Sequence, residues 1–193
     1  MELNEKEFQV ISDTDFLLTK SVVIKKMEQL FAATRAEIKD FLLLHSYVFP
    51  GNAQKITGKI SKGENYRRLP YMILDYPAYF EKGNSFAYRT MFWWGNFFSC
   101  TLHLEGSSLN PYRQQIVDHI NELAAEEWYV SIGETPWQYH YESDNYLLIS
   151  EIHSNHILDS AFIKLSRRIE LNQWANLPEL AKNNLAILLR ILN

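Results

Sequence analysis

The chain has 193 residues, of which 47% are hydrophobic, 14% aromatic and 22% charged, and its formal net charge is −4. This composition excludes a disordered chain, which needs low hydrophobicity and high net charge, and the acidic balance argues against nucleic acid as a partner. The single cysteine excludes an internal disulfide and a multi-cysteine metal site. The length predicts a single domain over residues 1–193.

The first residues carry acids and lack an apolar stretch behind a basic cluster, so they do not read as a signal peptide. Purely apolar runs are only a few residues long, as in 41–44, whereas a membrane-spanning helix needs about 20. We therefore expect a cytoplasmic protein without a membrane partner. No sequence motif assigns a cofactor.

Residues 13–48 show the apolar periodicity of an α-helix. Asp13 or Thr14 can cap the first turn, and the Pro50–Gly51 pair ends the segment. Apolar residues return at intervals close to 3.6, at Val23, Met27, Leu30, Phe31, Ile38, Phe41 and Leu42.

Residues 51–70 are punctuated by glycine and proline and are predicted to form a loop. Its stretch 55–68 is basic and could bind a phosphate or a nucleic-acid backbone, although no P-loop motif is present. The candidate anion-binding residues are Lys55, Lys59, Lys62, Arg67 and Arg68. The simpler interpretation is a solvated basic loop.

Aromatic and β-branched runs predict strands in the middle of the chain. Asn110–Pro111 is a typical helix start, and Gly95–Asn96 is typical of a two-residue type II′ turn. The predicted strands are 71–75, stopped by Pro77, then 86–94, 97–105, 128–132, 137–141 and 146–150, with a helix near 110–126. Residues 154–192 are predicted to be helical.

Strands that follow one another through short turns favour antiparallel pairing, and βαβ alternation is absent. The predicted class is α+β, with a single, mostly antiparallel sheet of about five to six strands. Helices from the N-terminal, central and C-terminal regions (13–48, 110–126 and 154–192) pack on this sheet, whose strands lie within 71–150.

The two-residue turn sets a register for the 86–105 hairpin, with Trp94 opposite Phe97. One face is then almost wholly apolar and is expected to pack on the helices through Met91, Trp93, Phe98, Cys100, Leu102 and Leu104. Arg89 falls on this face and needs a partner, because a buried unpaired charge is costly. Asp75 is the first expected partner and Glu105 the second.

The opposite face of the hairpin is half polar and half aromatic, which is typical of small-ligand sites. Its candidate ligand-binding residues are Tyr88, Thr90, Phe92, Trp94, Phe97, Ser99, Thr101 and His103. The alternative is an amphipathic outer face stabilised by cross-strand pairs, with no cavity.

Possible metal ligands cluster at Glu151, His153, His156 and Asp159. His153 precedes the predicted helix cap and His156 follows it, so the two rings are expected to diverge. We predict no metal site.

Three functions remain open. The first is a domain that binds a small molecule or a protein partner through the aromatic and polar hairpin face. The second is a hydrolase-like enzyme that uses Tyr88, His103 and Asp75 in acid/base roles, so the sequence does not decide whether the protein is an enzyme. The third is a phosphate- or nucleic-acid-binding accessory protein that uses the basic segment 55–68.

Overall fold

A computed structural model describes residues 2–45, 47–55 and 58–193. It contains one antiparallel seven-stranded sheet in the order β1-β2-β3-β4-β7-β5-β6. The strands are β1 (Lys59–Tyr66), β2 (Leu69–Glu81), β3 (Asn84–Trp93), β4 (Phe97–Glu105), β5 (Tyr129–Ser131), β6 (Tyr146–Leu148) and β7 (Phe162–Ile169). The α-helices within the described ranges are α1 (Glu5–Ser12), α2 (Thr14–Leu43), α3 (Arg113–Asp118), α4 (Ile120–Ala125), α5 (Ser154–Asp159) and α6 (Leu177–Ile191).

The predicted α+β class and the mostly antiparallel sheet are confirmed, with seven strands instead of five or six. Local signals position the N-terminal helices. Asn4 and Glu7 form a reciprocal capping box at α1, and the Asp13 side chain accepts a hydrogen bond from the Phe16 N–H at 2.8 Å at the start of α2.

One face of the sheet, here called the inner face, packs on α2 and α6. The buried stripe of α2 consists of Met27, Phe31, Thr34, Ile38 and Leu42. This stripe belongs to the same core as the inner-face residues of β3 and β4, which are Phe86, Tyr88, Phe92, Phe98, Cys100, Leu102 and Leu104. This layer is the main hydrophobic core.

The opposite, outer face is covered by residues 132–145, here called the covering loop. A second, smaller cluster lies between them, made of Ile73, Met91, Trp93 and Phe97 with Tyr66, Tyr71, Tyr139 and Tyr141 around it. Both faces of the central hairpin are therefore buried.

The predicted hairpin register is wrong by one residue. Phe97, the first residue of β4, lies opposite Trp93 and not opposite Trp94. The loop between the two strands therefore has three residues. Gly95 has a φ of +70° in that loop, and the Asn96 N–H donates to the Trp93 carbonyl at 3.1 Å. The predicted inner-face residues of β4 stay on the inner face, whereas Met91 and Trp93 of β3 lie on the outer face.

Segment 51–70 is not a loop throughout, because β1 occupies 59–66 and pairs with β2 along the edge of the sheet. The strand contains lysines and a glycine and therefore lacks the hydrophobic pattern that predicts a strand. Lysine is a common residue on edge strands. The following strand also runs beyond its expected end at Pro77. β2 continues to Glu81 through an irregularity between Asp75 and Ala78 that contains the cis Tyr76–Pro77 bond.

Segment 154–192 is not wholly helical, because β7 pairs with β4 from Phe98 to Glu105. Its apolar residues Ile163, Leu165 and Ile169 fit an alternating pattern as well as a helical one. The predicted strand 137–141 is absent and is part of the covering loop. In this segment, backbone groups form hydrogen bonds with side chains of the sheet instead of with a neighbouring strand. For example, the Tyr139 N–H donates to the Tyr66 hydroxyl at 2.7 Å.

Candidate ligand site on the outer face

A groove of about 540 Å³ opens on the outer face beside the covering loop. Its floor comes from β1 to β4 and its walls from the β2–β3 turn and the covering loop. The lining residues are Lys59, Ser61, Asp75, Phe80, Glu81, Lys82, Gly83, Ser85, Arg89, Glu105, Pro136 and Trp137. Two of its aromatic side chains are exposed, Trp137 by 51% and Phe80 by 43%.

An ion pair forms the centre of the floor. Arg89 Nε donates to Asp75 Oδ1 at 2.7 Å and Nη2 donates to Oδ2 at 3.0 Å, which is the bidentate geometry of strong arginine–carboxylate pairs. Arg89 Nη1 donates to the Tyr139 hydroxyl at 3.0 Å, and the guanidinium carbon lies 5.7 Å from the centre of the Trp137 ring. Burial opposes the charge, but Asp75 and Tyr139 raise the pKa of Arg89 above its usual range. The predicted pairing of Arg89 with Asp75 is confirmed.

His103 lies deeper, on β4 beneath the groove. It is 4% exposed, and its Nε2 is 3.8 Å from Glu105 Oε2, beyond hydrogen-bonding distance. Burial, followed by the charges of Arg89 and Lys164, lowers the pKa of His103 from 6.5 to about 3. The ring is therefore neutral at physiological pH.

Lys164, beside His103 on β7, is 2% exposed. Its Nζ donates to the carbonyls of Pro136, at 3.1 Å, and Gln138, and it lies 4.8 Å from the centre of the Tyr146 ring. Burial, followed by the charge of Arg89, lowers the pKa of Lys164 from 10.5 to about 7. The two hydrogen bonds from Lys164 to Pro136 and Gln138 connect the covering loop to the sheet.

A second tie joins β1 to the covering loop. The Tyr66 hydroxyl accepts from the backbone N–H groups of Tyr139 and His140, so its own hydrogen is available to His140 Nδ1 at 2.6 Å. His140 Nε2 lies 3.0 Å from Asp144 Oδ1, and this contact lowers the pKa of Asp144. The chain of hydrogen bonds fixes the loop and with it the groove wall.

The predicted hairpin site does not form one surface. Tyr88, Thr90 and Phe92 point into the inner core, because the register is shifted. The side chains of Phe97, Ser99, Thr101 and His103 lie on the outer face and are buried, and Trp94 is half-buried in the hairpin loop. Whether these residues contact a ligand stays a prediction, but the eight cannot line one pocket.

The same shift separates the proposed acid/base set. Tyr88 is buried on the inner face, where its hydroxyl donates to the Ala181 carbonyl at 2.6 Å. Asp75 and His103 lie on the outer face. A mechanism that uses all three residues together is therefore excluded by geometry.

The basic residues of 55–68 also fail to converge. Lys59 lines the groove, whereas Lys62 lies on the other face of β1, 2.5 Å from Glu28. Arg67 pairs with Glu142 and lies 3.9 Å from Asp144 in the covering loop, and Arg68 is exposed in the β1–β2 turn. The side chain of Lys55 lies outside the described residues.

Three potential metal ligands come together in the covering loop. Within the described ranges, His140, Glu142 and Asp144 place ligand atoms within 4.8 Å of one another. Both ring nitrogens of His140 are engaged by Tyr66 and Asp144, which leaves the group no free imidazole ligand. In the sequence cluster of Glu151, His153, His156 and Asp159, His156 Nε2 lies 2.7 Å from the Ser131 carbonyl oxygen and is engaged by it.

Sequence reasoning missed Phe80, Trp137 and Lys164 as residues of this region. Phe80 followed the proline that was expected to stop β2, and Trp137 was placed in a strand. Lys164 gave no signal, because a lysine between Ile163 and Leu165 is the ordinary apolar–polar alternation of a strand with one exposed face.

Comparison of the chain with models of known protein families, with curated proteins and with solved structures finds no match. Among the helices that the structure describes, none combines the length and apolarity needed to cross a membrane. The protein is thus defined by its α+β fold and by the outer-face groove.

Proposed function

We propose that the protein binds a small organic molecule in the outer-face groove. The observation that carries this proposal is the juxtaposition of exposed aromatic rings with a fixed ion pair. Phe80 and Trp137 offer apolar surface, while Asp75 and Arg89 on the floor of the same groove hold each other in a bidentate ion pair. Ligand sites combine these elements, an apolar wall and a few fixed polar groups.

The charges that line the groove indicate the class of ligand. They are the cations Lys59, Lys82 and Arg89 and the anions Asp75, Glu81 and Glu105. Because these formal charges cancel, a neutral or zwitterionic molecule is favoured over one with a net charge. A ring on such a ligand would stack on Trp137 while its polar end binds the floor.

A panel of four single-ring probes tests this proposal: nicotinamide (neutral), L-phenylalanine (zwitterionic), benzoate (anionic) and benzylamine (cationic). Binding is measured by saturation-transfer NMR and tryptophan fluorescence. We expect nicotinamide and L-phenylalanine to bind more tightly than the charged probes. Trp137→Ala should weaken binding about tenfold, since an aromatic contact contributes up to ~1.5 kcal/mol.

Arg190→Ala is the matched control, because Arg190 borders a separate hollow of about 470 Å³ near Phe41 and His45. It should leave the affinity unchanged. The proposal is overturned if no probe binds at millimolar concentration, or if Trp137→Ala binds the probes as well as the natural chain does.

A further inference from the structure

The N-terminal arm, defined here as residues 2–22, is an apolar surface that the rest of the described chain does not cover. Residues 2–19 are exposed throughout, although they contain α1 and the first turns of α2. The large apolar side chains of the arm are 48–61% exposed, and they are Leu3, Phe8, Val10, Ile11, Phe16, Leu17, Leu18 and Val22. Large contiguous apolar patches mark interaction sites.

Apolar residues surround the arm instead of following one stripe. Phe16 and Val23 continue the buried stripe of α2 backwards from Met27 at helical spacing. Leu18 and Val22, four residues apart, lie on a different side of the same helix. A helix that is apolar on several sides is stable when it is buried, so something must pack on this arm.

The charges around Leu18 and Val22 indicate the occupant. Asp15, Leu18, Val22 and Lys25 are spaced by three, four and three residues and therefore share one face of α2. The face therefore has an acid at one end, a base at the other and two apolar residues between them, so two antiparallel copies place each acid against a base. Asp15 and Lys25 make no ion pair within the part of the chain that the structure describes.

We propose that the occupant is a second copy of this chain, whose α2 packs antiparallel on the first. A two-fold axis near residue 20 places Leu18 of each copy against Val22 of the other, and Asp15 against Lys25. This is the self-complementary arrangement that a symmetric dimer requires.

The rest of α2 is suited to the same contact. Its exposed face continues through Gln29 to Ala32, Ala33 and Ala36, whose small side chains allow a partner helix to approach closely. In the antiparallel pair, α1 of one copy lies towards this alanine surface of the other. Leu18 and Val22 together with the apolar side chains Leu3, Phe8, Val10 and Ile11 at α1 each expose roughly 100 Å². They provide roughly 600 Å² per copy, or roughly 1,200 Å² over both copies, the lower end of the range for specific stable interfaces.

A membrane surface is the weaker candidate, because residues 2–15 carry five acids and one lysine. Such a segment is repelled by anionic lipids. The dimer proposal does not depend on ligand binding in the groove.

Sedimentation equilibrium of the full chain tests the proposal. The natural chain should have a molar mass of twice 22.7 kDa. The Leu18→Glu/Val22→Glu variant should have the molar mass of a monomer, with an unchanged circular dichroism spectrum. Leu43→Glu/Leu44→Glu is the matched control, because these residues are 74% and 83% exposed but lie beyond the proposed contact. It should remain a dimer.

Charge reversal tests the antiparallel orientation. Asp15→Lys and Lys25→Asp should each weaken the dimer about tenfold, and the double variant should restore it. A natural chain that is monomeric at about 100 µM overturns the proposal, as does a dimer that Leu18→Glu/Val22→Glu leaves intact. A monomer that floats with phosphatidylcholine vesicles through the arm would also overturn it, in favour of a lipid surface.

Discussion

At the scale of single residues, the outer face is a buried polar layer held by a few directional contacts. Arg89 uses three of its donors on Asp75 and Tyr139, and Lys164 binds two carbonyls of the covering loop. The side chains of Arg89, Asp75 and Lys164 are only 2–13% exposed, so water competes little for their hydrogen bonds. Each charge therefore depends on the partner that it has in the structure.

Replacement of Asp75 by asparagine should test this dependence. It leaves the Arg89 charge buried without its carboxylate, so we expect the free energy of unfolding in urea to fall by about 3–5 kcal/mol. Glu170→Gln is the control: its pair with Arg168 has side chains 59% and 48% exposed, against 13% and 11% for Asp75 and Arg89. That change should cost less than about 1 kcal/mol. Equal losses in the two variants would contradict the role of burial.

At the scale of elements, turn chemistry and strand edges decide how the sheet is assembled. The β1–β2 turn consists of Arg67 and Arg68, with φ values of +48° and +67°. A two-residue turn with two positive φ values is the hairpin geometry that favours Asn-Gly. Arginine in the left-handed region is strained, and Arg67 is held there with its side chain paired to Glu142.

Arg68→Gly should therefore stabilise the protein, by about 1 kcal/mol, because glycine adopts this conformation without steric cost. Thermal and urea unfolding measure the change. The converse control is Gly83→Ala in the β2–β3 turn, where φ is +69° and an added Cβ meets no atom within 4 Å. It should destabilise by a similar amount through backbone strain alone. A loss of stability in Arg68→Gly would contradict the strain argument.

At the scale of the whole molecule, the sheet is buried on both faces, by helices on one side and by the covering loop on the other. The inner layer is hydrophobic, whereas the outer layer contains His103, Lys164 and the Asp75–Arg89 pair. The stability of the outer layer should therefore depend on pH, and His103 provides the measurable case.

In the folded chain the pKa of His103 is about 3, against 6.5 for an ordinary histidine. Between these values the unfolded state binds a proton that the folded state does not, so the free energy of unfolding falls as the pH is lowered. The expected slope from this residue is up to about 1.4 kcal/mol per pH unit. His103→Gln should remove this contribution in urea unfolding measured from pH 7 to 4, whereas His153→Gln, at an exposed position, should keep the natural slope. Identical slopes in all three chains would contradict the burial of His103.

Sequence signals that act over a few residues predicted much of this fold. The Asp13 cap, the apolar stripe of α2 and the inner-face residues of β4 follow from helical or alternating periodicity, which needs no knowledge of distant contacts. The pairing of Arg89 with Asp75 was also predictable, because a buried arginine requires an acid and the two strands were expected to be neighbours. The groove itself was not, since its wall comes from Trp137.

Tertiary structure alone decided the register, the pairing of β7 and the covering loop. An apolar face normally selects the register of a hairpin, but both faces of β3 and β4 are buried here, so the alternation did not distinguish one register from the next. β7 is a strand because the edge of β4 offers it backbone partners more than 50 residues away in sequence. The covering loop is held by Tyr66 and Lys164, which are distant in the chain, and contacts of this kind leave no periodic pattern in the sequence.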